Sequence, residues 1–150
     1  MRMGKKILIV LTLNIFLSLV QISFVPFLFL TKIYVNLILA FAFALLALNK
    51  TKEAYTSALL GGLLMDILGV VFIGISSFFY CTSLYIAYFI HEKFIKKYAV
   101  LFLIIPVELL YQLIILKEIK VANIFLTFTS FLFFYFVLKR VIKKDDMYKL

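Results

Sequence analysis

Two acids lie inside apolar runs of this chain: Asp66, within the stretch 58–74, and Glu108, within 98–116 and followed by Tyr111 and Gln112. A carboxylate near the centre of a bilayer costs about 2.5–3.5 kcal/mol on insertion scales, so each is a functional candidate facing other helices. Paired carboxylates cleave peptide bonds inside membranes, but that chemistry needs two acids in one site. Asp66 has no second Asp in an apolar run, Asp145 and Asp146 fall in the C-terminal tail, and no GxGD sequence occurs. A Ser-His-acid hydrolase would depend on His91, the one histidine, which is followed by Glu92, Lys93, Lys96 and Lys97, with no G-x-S-x-G turn anywhere. His91 reads as a solvated interface residue. Cys81 is the single cysteine. It allows no internal disulfide or CxxC site, and with one His the ligands for zinc or haem are missing. Gly61-Gly62 lacks the Lys and Ser/Thr that follow in a phosphate loop. The expectation is no enzyme, no cofactor and no metal, with both acids used in contacts between helices.

The elements that position these acids follow from hydropathy. Of 150 residues 66% are hydrophobic and the mean hydropathy is +1.17, which leaves too few polar residues to cover a soluble core. An all-α integral membrane protein is expected, one domain over 1–150. Spans of about 20 residues cross a hydrocarbon layer of about 30 Å. Breaks at charges, Gly and Pro then give six spans, near 7–30, 33–48, 54–72, 74–90, 98–116 and 121–138, with Pro26 kinking or ending the first. The N-terminus imitates a secretory signal, but its apolar run continues to Leu30 with no small-x-small cleavage site, so it reads as an uncleaved span.

The formal net charge of +9 sits at the ends of the apolar runs, which makes it a topological signal and not a nucleic-acid footprint. Six spans with both termini cytoplasmic put thirteen of the sixteen Lys and Arg inside; Lys32, Lys117 and Lys120 are outside. The basic tail after Leu138 is expected along the anionic inner leaflet.

In the third span Ala54, Ala58, Gly62 and Asp66 recur at intervals of four, a small-residue face that ends in an acid, with Gly69 three residues on. Polar stripes recur at similar spacing in Asn14, Ser18 and Gln21, in Ser76, Tyr80 and Ser83, and in Asn123, Thr127 and Ser130. They read as a polar seam between helices. Without a Lys or Arg in mid-span, Asp66 and Glu108 are expected to be hydrogen-bonded, protonated or satisfied by a partner protein.

The segment Gly62-Leu63-Leu64-Met65-Asp66, with Gly74 eight residues after the acid, resembles the signature of the rod shape-determining protein MreD family: G-L-x-x-D, a Gly-containing turn, then a Gly opening the next helix. Length, span count and basic tail resemble that family in layout. Gly62 would clear room for Asp66, and Gly69 and Gly74 would bracket a tight outer turn where a bulky residue obstructs the reversal. The chain departs from the family at Val71-Phe72-Ile73, where a proline is usual, and at Lys32-Ile33-Tyr34-Val35-Asn36, where an Arg-Pro-Asp-like sequence is usual. The resemblance implies a non-enzymatic component of the bacterial cell-elongation machinery in the plasma membrane. Its implied partners are the scaffold MreC, the MreB filament, RodA and a penicillin-binding transpeptidase of peptidoglycan synthesis, with membrane lipid around it. The substrate-binding subunit of an energy-coupling-factor vitamin transporter is similar in layout and is the alternative. Such a subunit usually has longer outer loops and a small-residue motif on its first helix, whereas 7–30 contains no Ala or Gly.

Overall fold

A computed structural model of the chain describes residues 3–24, 34–68, 73–93, 99–117 and 119–147. Among these the protein is all-helical, without strands. The helices are α1 (Met3–Leu19, extended by a π turn, Val20–Phe24), α2 (Leu37–Ala47), α3 (Thr51–Leu68), α4 (Ile75–Lys93), α5 (Ala99–Tyr111, extended by a π turn, Gln112–Leu116) and α6 (Val121–Met147). Each coincides with one expected segment to within a few residues over the described residues, except at two ends. The second is shorter than 33–48, because 34–36 are not helical. The last continues nine residues past Leu138, so the basic tail prolongs α6 through Met147. Pro26 and Gly69 lie outside the described residues.

The core is built around α2. Its sequence, LILAFAFALLA, is apolar on every side, and a helix of that kind has to be surrounded by protein or lipid. Here it is surrounded by protein: every residue from Ile38 to Ala47 is buried, and α2 touches all five other described helices, most extensively α6 and α3. Its alanines let those two approach, while Phe41 meets Phe134 of α6 edge-on at 5.5 Å. The C-terminal end closes through Asn49, which takes a left-handed conformation at φ 59°, and the Lys50 N–H donates to Leu45 O at 2.9 Å. The chain then turns straight into α3, whose first bond runs from Ala54 N–H to Lys50 O at 2.9 Å.

Beside this apolar core, many polar residues are buried and many large apolar ones exposed, unlike the pattern of a soluble domain. Asn14, Ser18, Asn36, Ser57, Asp66, Glu108, Gln112, Asn123 and Thr127 are all buried, whereas Leu8, Phe16, Phe78, Phe102, Phe125, Phe133 and Phe136 are exposed. On α6 the inward stripe is Asn123, Thr127 and Phe131. The 22-residue stretch Val121–Ile142 contains an 18-residue window of mean hydropathy 2.0 and is, among the described residues, the one helix long and apolar enough to cross a membrane. Apolar helices at Leu8–Ser23, Leu37–Ala47, Ile75–Ile90 and Phe102–Leu116 are shorter.

Candidate functional site

A helix that starts inside a protein exposes N–H groups that no earlier turn can bond. Both α2 and α4 start this way, and the buried polar residues converge on their first turns.

At α4 the cap comes from the preceding helix. Gly74 accepts the first intrahelical bond, from Phe78 N–H at 2.8 Å, but has no side chain to cap the orphan donors. Asp66, near the end of α3, supplies the acceptors. Its Oδ2 takes the Gly74 N–H at 2.7 Å, and both oxygens take the Ser76 N–H, at 3.1 and 3.2 Å. The carboxylate is fully buried at 0% exposure, so its compensation is the positive end of a helix dipole plus charge-assisted hydrogen bonds. No Lys or Arg is required. Of the alternatives open for this acid, hydrogen bonding within the chain is the one seen, with both oxygens occupied.

The approach of α3 to α4 depends on Gly62, one turn before Asp66. A Cβ there would lie 2.6 Å from Ser77 N and closer still to its Cα. With hydrogen instead, the Ser77 hydroxyl reaches the Leu59 carbonyl of α3 at 2.7 Å. Ala54, Ala58, Gly62 and Asp66 are buried together along this helix. Gly74 works differently from the expectation that bulk would obstruct the turn. Among the described residues a Cβ there would meet nothing within 4 Å; glycine is required because φ is +101°, a conformation L side chains rarely adopt. Gly61, which its place in the sequence does not single out, is also tight, its Cβ position lying 2.5 Å from Ile38 Cγ2 and 3.0 Å from Asn14 Oδ1.

At α2 the caps come from three directions. Gln21 Oε1 accepts from Leu37 N–H at 2.9 Å and Ile38 N–H at 3.4 Å, Asn36 Oδ1 from Leu39 N–H at 3.2 Å, and Thr127 Oγ1 from Asn36 N–H at 3.1 Å. Asn123 Oδ1 receives the Tyr34 N–H at 3.2 Å just upstream. The stripes on the first and last spans therefore serve the backbone of a helix neither belongs to. Asn36 is absent from the expected polar seam, although Asn before an apolar run is an N-cap signal. Asn14 joins α1 to α3, taking the Ser57 hydroxyl at 2.9 Å.

Glu108 lies beside this cap cluster. Gln112 Nε2 donates to its Oε1 at 3.2 Å, and Gln112 Oε1 accepts the Lys120 N–H at 2.8 Å, tying the acid to the start of α6. Asn36 and Thr127 flank the carboxyl. Among the described residues neither its Oε2 nor Asn36 Nδ2 makes a hydrogen bond within 3.5 Å, although the two side chains are neighbours. Tyr80 donates its hydroxyl to Asn36 Oδ1 at 2.9 Å and packs against Tyr111 with ring centroids 5.5 Å apart. A cavity of about 280 Å³ opens among these groups, lined by Asn36, Ser76, Glu108 and Tyr111 together with Gln21 and apolar neighbours. Glu108 and Ser76, the residue that Asp66 caps, thus line one cavity, with both Asp66 oxygens hydrogen-bonded and Glu108 hydrogen-bonded through Oε1.

Among the described residues no three His, Cys, Asp or Glu groups cluster as metal ligands, and Cys81 is half-buried with a free thiol. His91 lies among the side chains not described. No family model, no curated protein and no solved structure matches the chain.

Proposed function

We propose that this protein is a non-catalytic, six-span component of the bacterial cell-elongation machinery, inserted in the plasma membrane with both termini cytoplasmic. In this reading it docks an MreC-like scaffold and, with it, the filament and peptidoglycan synthases named by the family resemblance. The observation that carries the proposal is the Asp66 clamp. The residues that resemble the family signature, Gly62, Asp66 and Gly74, act together to close the α3–α4 hairpin around a buried carboxylate bonded to Gly74 and Ser76. A signature spent on bundle geometry suits a protein that presents surfaces and transforms nothing. Exposed large apolar side chains support a lipid surrounding, since among the described residues Phe78, Phe102, Phe125 and Phe133 are each 64–76% exposed.

Isolation of the full chain from its native membrane in mild detergent tests this. An MreC-like scaffold should come through gel filtration in a fixed ratio with it. Elution with an ATP-hydrolysing module and a bound vitamin would replace the proposal by the transporter reading. In cells, Asp66→Leu should insert normally yet fail to restore rod shape to a deletion strain, and full restoration would contradict the role given to the clamp.

A further inference from the structure

A hydroxyl on the outer face of a membrane span has to find its acceptor on its own helix, because lipid tails offer none. Two exposed threonines do so: Thr12 donates to Leu8 O and Thr129 to Phe125 O, each at 2.9 Å. The outward stripe of α4 breaks the pattern. It runs through Phe78, Thr82, Tyr85 and Ile86, all exposed, and neither the Thr82 nor the Tyr85 hydroxyl makes a hydrogen bond among the described residues.

Thr82 stands at the middle of the apolar stretch Ile75–Ile90. Tyr85, 61% exposed, lies nearer the C-terminal end of α4, but side chains on a helix lean toward its N-terminus, so the phenol is carried back toward Thr82 and away from the nearer water. Nor can a phenol fold onto its own backbone as a threonine does. Tyr55 of α3 borders the same patch, beside Cys81 and Tyr85.

The patch calls for a neighbour that brings acceptors to the middle of the membrane. A second copy of this chain is a poor match in shape: Phe78 and Tyr85 form a bulky ridge, two such ridges hold their backbones apart, and the chain's own small-residue face, Ala54, Ala58 and Gly62, is already buried. A transmembrane helix of another protein fits, with small residues to receive the ridge and a side-chain oxygen to meet the hydroxyls.

We propose that the α4 stripe centred on Thr82 and Tyr85 docks the transmembrane helix of a partner, one with Gly, Ala or Ser facing the ridge and a hydrogen-bond acceptor at mid-span. The inference rests on the membrane docking role proposed above and names the face that serves it.

Photo-crosslinking in cells tests it. With p-benzoylphenylalanine placed at Phe78 or Ile86 of the full chain, the expected adduct is with the MreC-like scaffold, its cross-linked peptide lying within a transmembrane helix of that protein. The same amino acid at Phe102 or Phe133, on other outward faces, should give no adduct with that helix. Thr82→Val combined with Tyr85→Phe keeps the shape and deletes both hydroxyls. That chain should insert and elute as the wild type yet give about fivefold less adduct, the scale of two interhelical hydrogen bonds in a membrane. An adduct from Phe78 or Ile86 with the transmembrane helix of a different protein, weakened in the same way by the double variant, would uphold the docking face and overturn the scaffold as its partner. A scaffold that co-elutes with the chain but is cross-linked only from Phe102 or Phe133 would uphold the partner and overturn the face. Adducts of two copies of the chain, adducts with lipid alone, or a yield unchanged in the double variant also overturn it.

Discussion

At Asp66 the geometry separates what charge contributes from what shape contributes. Its oxygens meet two N–H groups, so an isosteric amide retains one acceptor and turns an NH2 donor toward the other N–H. Asp66→Asn also removes the negative charge from the helix N-terminus, an interaction of about 0.3–2 kcal/mol. We expect Asp66→Asn to lower unfolding stability by about 1–3 kcal/mol and Asp66→Ala by more, because alanine leaves both donors orphaned. Denaturation of the purified chain, followed by circular dichroism, reads that order; an Asn variant as stable as wild type would show that hydrogen bonding alone suffices. The adjacent glycines make a second comparison. A methyl group at Gly62 strikes the backbone of Ser77, which yields only if α3 and α4 separate, whereas one at Gly61 strikes the Ile38 side chain, which has rotamers to move through. Gly62→Ala should therefore cost the more of the two, within the roughly 1–3 kcal/mol typical of overpacking. Equal melting temperatures for Gly61→Ala and Gly62→Ala would refute the close crossing.

The six helices themselves were legible in the sequence because apolar runs broken by charges and glycines leave little choice of segment. What α2 does was not. Its composition is compatible with a lipid-facing span or a central strut, and only the packing of five neighbours distinguishes them. The same limit applies to the polar stripes. Spacing puts Asn123 and Thr127 on one face of α6, but it says nothing of their targets, which are backbone donors at Tyr34 and Asn36, about ninety residues away in sequence. Gly74 was found by resemblance with the reason misassigned, since sequence does not distinguish a crowded position from one needing positive φ. The α2 cap can be tested by removing one acceptor. Thr127→Val keeps the shape but takes the acceptor from the buried Asn36 N–H, so the start of α2 should open more often while the α3–α4 hairpin is unaffected. Hydrogen–deuterium exchange should rise at least fivefold in peptides covering 34–40 and stay unchanged over 74–80. Thr127→Ser, which keeps the hydroxyl, should exchange as the wild type does.

For the whole molecule, two independent signals bear on the same arrangement: basic residues crowd one set of helix ends, and the described surface carries many large apolar side chains while a set of polar ones is buried beside the apolar core. Neither depends on family resemblance. Their combination implies an orientation that labelling can read. In the proposed topology, with both termini cytoplasmic, the α5–α6 turn at Ile119 would face outward and the start of α3 at Lys52 inward; both side chains are exposed, so a cysteine at either position is open to reagent. The native thiol is removed first with Cys81→Ser, then Ile119→Cys or Lys52→Cys is added. A membrane-impermeant maleimide applied to intact spheroplasts should label the first and spare the second, and permeabilisation should make the second equally reactive. Five spans would put the α6 end outside, so Lys139→Cys in the same background is the decisive third position: it should remain protected until the membrane is opened. Labelling of that cysteine in intact spheroplasts would overturn the even number of crossings and, with it, the cytoplasmic placement of the thirteen basic residues on which the orientation rests.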